Sequence, residues 1–137
     1  MGTPQFSVAA LKKLIASEHQ VVAVYTQPDK PGKRGRVPIA SPVKIVAREN
    51  ELPVFQPASL KSAEVIKQLV DLCPDLMVVV AFGQILTSGV LKIPRFHCLN
   101  LHPSLLPRYR GASPIASAIL SNEQETGVTL MLMDEGV

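Results

Sequence analysis

Residues Leu76 to Ala81 form an unbroken apolar run, Leu-Met-Val-Val-Val-Ala, between Pro74-Asp75 and Gly83. A strand with one face in water alternates apolar and polar residues, so an unbroken run predicts a strand covered on both faces, as in parallel sheets under helices. The rest of the chain can supply those helices. Val8, Leu11, Leu14 and Ile15 follow a helical spacing, and Val21 to Tyr25 is a β-branched run suited to a buried strand. Pro42 to about Asn50 predicts a second helix, capped by Ser41 and opened by a proline in its first turn. Pro53 to Gln56 reads as a short strand, and Ser62 to Leu72 repeats the helical pattern through Val65, Ile66, Leu69 and Val70. A strand at Phe96 to His102, a helix at Pro114 to Ser121 and a last strand at Val128 to Met133 complete the series. Such alternation predicts an α/β fold, an open and mostly parallel sheet with helices on both faces.

The chain has 137 residues, 47% hydrophobic and 18% charged, which allows one buried core and excludes disorder. Residues 1 to 137 read as one domain, without an internal repeat or a low-complexity tract. No apolar run approaches the roughly 20 residues of a membrane span, and no secretory leader opens the chain. A soluble protein of the bacterial cytoplasm or an organellar matrix is expected, with no membrane partner. Cys73 and Cys98 lie outside any CxxC pattern, so reduced, partly buried structural thiols are expected, and no metal site. The net charge of +3 is unevenly spread: residues 1–50 hold eight Lys/Arg against three acids, and residues 101–137 hold two against four. The excess concentrates in Lys30, Lys33, Arg34 and Arg36, within a Gln27 to Pro38 stretch whose prolines and glycines predict an exposed loop. A phosphate-rich partner could be held there, although a solvated charge run explains such a cluster equally well.

In an open α/β sheet, ligands gather at the carboxyl ends of strands. Asn100 and His102 fall at such an end, and alternate residues of a strand share a face. They would stand roughly 6.5 Å apart along the chain, with Pro103 ending regular pairing beyond them. An amide donor and an acid/base group would then face one spot. The alternative is that Asn100 ties down a loop and His102 is an ordinary surface histidine. His19, in a polar turn, and His97, opening a strand, are assigned to neither role.

The chain resembles the methionyl-tRNA formyltransferases, within the wider folate-dependent formyltransferases. The matching segments are Gly2-Thr3-Pro4 with Phe6, Thr26 to Pro31, Ser41 to Lys44, Leu52 to Pro57, Val78 to Gly83 with Ile85-Leu86, Asn100 with His102, Ser104 to Ala112, and Glu125 to Thr129. They run in the family's order along the whole chain. The resemblance implies a Rossmann-like domain that moves a formyl group from 10-formyltetrahydrofolate to the α-amino group of methionine on initiator tRNA. It maps two catalytic residues onto Asn100 and His102, and it places the third, an Asp of an Asp-Thr-Gly-Asp motif, just after Val137. It also implies a folate-contacting loop at Ser104, Leu105, Leu106 and Pro107, and a pterin-pocket wall at Phe82, Gly83, Gln84, Ile85 and Leu86. Some of these apolar side chains could equally be core. Lys30, Lys33, Arg34 and Arg36 match an insertion that contacts the tRNA acceptor end.

The family's opening strand, central in its sheet, and its C-terminal β-barrel domain have no counterpart in this sequence. The chain is therefore read as truncated at both ends, and inactive by itself. A monomer is expected, with initiator methionyl-tRNA and folate as partners and no metal. Gly2-Thr3-Pro4 lacks a dinucleotide fingerprint and takes a structural reading. His97 stands where the family usually has Gly, and Lys33 replaces the Gly before Arg34. The alternatives are a formyltransferase or 10-formyltetrahydrofolate hydrolase acting on a small acceptor, which would share Asn100, His102 and the Ser104 loop, and an inactive folate- or RNA-binding fragment.

Overall fold

The computed structural model describes residues 1–32 and 37–135. Its elements follow the order α1 (Gln5–Ile15), β1 (Val24–Tyr25), α2 (Pro42–Glu49), β2 (Val54–Phe55), α3 (Ala63–Asp71), β3 (Met77–Val79), α4 (Ser88–Leu91), β4 (Cys98–His102), α5 (Pro114–Leu120) and β5 (Thr129–Leu132). Every predicted helix and strand is present. Short α4 is the addition: Thr87 caps it by accepting from the Val90 N–H at 3.4 Å, and four residues are too few to show a helical period.

The strands form two ladders. β1 pairs with β2 in parallel, and β3 pairs with β4 in parallel, with Val79 opposite Asn100. β5 then joins β4 antiparallel, with Thr129 opposite His102, so the last strand departs from the parallel pattern. Between β1 and β3, residues 1 and 2 make the backbone connection among the described residues. Gly2 N–H donates to Tyr25 O at 3.0 Å, Val80 N–H donates to Met1 O at 2.9 Å, and the Met1 ammonium donates to Val78 O at 2.7 Å. Gly2 is needed at this crossing because a Cβ there would meet Ser7 Cβ at 2.8 Å and Val80 O at 2.9 Å. That is the structural role expected of Gly2-Thr3-Pro4.

Beyond these rungs lies a cavity of about 650 Å³, lined by Val21, Ala23, Leu72, Leu76, Val78 and neighbours. β1 and β3 are shorter than the predicted Val21–Tyr25 and Leu76–Ala81.

Helices do cover both faces. Val24 packs with Val8 and Leu11 of α1 and with Val43, Val46 and Ala47 of α2. Its neighbour Tyr25 turns the other way, into a cluster with Leu69, Met77, Val79, Leu91 and Cys98. Successive residues of a strand point to opposite faces, so the split of Val24 from Tyr25 defines the two layers. Ser41 caps α2 as predicted, accepting from Lys44 N–H at 3.1 Å. Cys98 is buried, and burial pushes its thiol up to about 11. Cys73 is exposed, against expectation, because it follows α3 in a left-handed turn at φ 45° rather than facing the core.

Candidate active site

The carboxyl end of β4 carries Asn100 and His102, alternate residues of one strand flanked by β3 and β5. Because β5 runs antiparallel, its first residue, Thr129, stands beside His102. Because β3 runs parallel, its continuation through Val80 to Gly83 reaches the same end of the sheet. Asn100, His102, the 82–86 segment and the 104–107 loop are therefore gathered by topology at one sheet end, although they come from distant parts of the chain.

The loop after β4 is held from several directions. Ser104, fully buried, donates its hydroxyl to Arg108 O at 2.7 Å. Thr129 Oγ1 donates to Ser104 O at 2.7 Å and accepts from Leu106 N–H at 3.1 Å, tying the loop to the start of β5. His102 Nε2 lies 3.0 Å from Tyr109 O. A carbonyl oxygen only accepts, so Nε2 carries the proton in this arrangement and Nδ1 keeps its lone pair when the ring is neutral. The Asn100 amide makes no side-chain hydrogen bond among the described residues, which leaves its two N–H groups free to donate.

The side chains expected at a folate pocket divide sharply. Phe82 and Leu86 are 2% and 7% exposed and belong to the core around Tyr25 and Leu69. Ile85 and Leu105 are 82% and 52% exposed, and with half-buried Leu106 they form the apolar surface near the site. Gly83 takes φ +86°, and Gln84 donates to Pro57 O at 2.8 Å. What the 82–86 turn offers outward is thus Ile85 and backbone, not its aromatic ring. The cavity beside β1 is elsewhere: neither Asn100 nor His102 lines it.

Of the basic cluster, Lys30 is exposed and forms a two-way backbone bridge with Ile39, closing the base of a loop, while Lys33, Arg34 and Arg36 lie outside the described residues. Beneath that base is a network the sequence reading missed. Buried Lys44 meets Asp29 at 2.5 Å, and Gln56 donates to the other Asp29 oxygen at 2.7 Å and to Gln27 O at 2.9 Å. Gln27 Nε2 in turn reaches Phe82 O at 3.3 Å. Bonds from Lys44 and Gln56 hold the Asp29 carboxyl below its usual range. Each residue had been placed in a matching segment, but only the fold brings the segments together.

Residues 1–137 match the family model described as formyl transferase. A methionyl-tRNA formyltransferase from Methylococcus capsulatus is 61% identical over 133 residues, covering 97% of this chain and 43% of that protein. Another from Hydrogenovibrio crunogenus is 57% identical over 136 residues, covering 99% and 44%. The chain thus spans less than half the length of these curated relatives. Among solved structures, a phosphoribosylglycinamide formyltransferase from Bacillus halodurans superposes with a TM-score of 0.73 at 26% identity, over 98% of this chain and 70% of that one. A sugar N-formyltransferase from a Shewanella species shares the fold at a TM-score of 0.55 and 20% identity, over 96% and 45%. With the family model covering every residue, the chain belongs to the formyl transferase family.

Proposed function

We propose that this chain is the part of a methionyl-tRNA formyltransferase that carries Asn100 and His102, and that the whole protein moves a formyl group from 10-formyltetrahydrofolate to the α-amino group of methionyl initiator tRNA for translation initiation. The observation that carries the reading is the pairing of Asn100 and His102 on one strand end, inside a chain 61% identical to a protein of that name. The amine attacks the formyl carbon, an oxyanion forms, the carbon–nitrogen bond to the folate breaks, and the departing nitrogen takes a proton while the attacking amine loses one. Asn100 donates to the oxyanion, a contact whose loss typically costs on the order of 10²–10³ in rate. His102 stabilises the same oxygen or moves the proton, help typically worth about 10²–10⁴. Ser104 to Pro107 and Phe82 to Leu86 hold the folate, through backbone groups and through exposed Ile85 and Leu105. Lys30, Lys33, Arg34 and Arg36 follow the tRNA phosphates. The bacterial cytoplasm or an organellar matrix is the compartment this reading implies.

The test is a chimera in which this chain replaces the matching residues of the Methylococcus capsulatus protein. It should formylate methionyl-tRNA and leave a free amino sugar untouched, and Asn100→Ala and His102→Ala should each lower kcat by roughly 10²-fold or more. Formylation of the sugar alone would overturn the assignment in favour of a small-acceptor enzyme.

A further inference from the structure

The reading of His102 as an acid/base group leaves open what fixes its ring. The partner of Nε2 is the backbone carbonyl of Tyr109, and Tyr109 sits at φ 54°, in the left-handed region. For a bulky aromatic residue that conformation is costly and persists only where surroundings impose it. The surroundings are specific. The Tyr109 hydroxyl donates to Glu123 Oε1 at 2.5 Å, the Arg108 guanidinium donates to the same oxygen, and Arg108 also lies over the Tyr109 ring. Glu123 is itself anchored, since its N–H donates to Ala118 O at the end of α5 at 3.0 Å, and its side chain is only 19% exposed. One carboxylate thus holds two consecutive residues of the loop from a different element, at the turn where the carbonyl must point back to His102.

We propose that Glu123 is a positioning residue for His102: by clamping Arg108 and Tyr109 it keeps the Tyr109 carbonyl on Nε2, which leaves Nδ1 as the ring nitrogen that exchanges a proton in the reaction. The proposal deepens the function given above and rests on it for the catalytic meaning of His102. Its geometry can be tested without turnover. In the ¹⁵N-labelled chain, the His102 Nε2–H should give a proton resonance protected from exchange with water. Glu123→Ala should accelerate that exchange roughly ten- to a hundredfold, the effect of losing a charge-assisted hydrogen bond. Glu123→Gln should restore protection, because its amide oxygen can still accept from both donors. Tyr109→Phe, which removes one hydroxyl and leaves the backbone, should accelerate exchange by roughly fivefold and decides the matter if Glu123→Ala does not fold. An unprotected Nε2–H in the parent chain, or unchanged exchange in a folded variant, overturns the proposal. In the chimera, Glu123→Ala should lower kcat while both KM values hold, and Glu123→Gln should recover it. Loss of ring protection without loss of kcat would leave the clamp standing and would instead refute a proton-transfer role for His102.

Discussion

His97 holds φ 66°, a left-handed conformation that glycine adopts freely and a Cβ opposes. Glycine, which the family resemblance implies at this position, would take that backbone without strain. His97→Gly should stabilise the chain by about 0.5–1 kcal/mol, the relief of strain exceeding the added freedom of the unfolded chain. Urea denaturation of the two proteins checks it, and a lower midpoint for the glycine variant would show the histidine ring contributing more than its backbone costs. At this scale the sequence disclosed chemistry unevenly. The placement of Asn100 and His102 on one strand was legible because two residues of one strand need no knowledge of the fold to share a face, while a catalytic role for them came only with the family resemblance. The Asp29–Lys44–Gln56 network and the Glu123 clamp were not, because each joins residues 12 or more apart that only the folded chain brings within reach.

Elements were more legible than contacts. Three of the predicted helices reappear within a residue of their expected limits and α1 begins three residues before Val8, since apolar spacing and a Ser-Pro cap are local signals. The mostly parallel direction was readable from the alternation of elements, but antiparallel β5 was not: a strand's sequence does not state which neighbour it will face. The first two residues act as one more strand fragment, and this gives a pH prediction. Burial lowers the Met1 ammonium from 8.0 to about 6, opposed weakly by the nearby Cys98 thiol. The unfolded chain therefore binds more protons between about pH 6 and 8, so stability should rise with pH through that window and be lower below it. Two pKa units correspond to roughly 2–3 kcal/mol. Urea midpoints at either side of the window should differ in the parent chain and much less in an Nα-acetylated one; equal midpoints for the parent would show the ammonium solvated.

At the scale of the molecule, the α/β plan with helices on both faces was foreseen from the alternation of strands and helices, and the cavity between β1 and β3 is the feature that plan alone does not reveal. A sheet normally transmits cooperativity sideways, each strand's bonds reporting on the next. Here that transmission passes through three hydrogen bonds at Met1 and Gly2, through those of Thr3 and Gln27 to Phe82 O, and through Tyr25, whose ring joins the α3 side while its strand β1 pairs with β2. Native-state hydrogen exchange should consequently resolve two opening units, with amides of β1, β2, α1 and α2 exchanging at a lower free energy than those of β3 and β4. A single common opening energy would mean that the side-chain packing around Tyr25 couples the halves without a continuous ladder. Two opening units would make the void a seam in folding cooperativity, with the few residues crossing it deciding whether the chain melts as one body or as two.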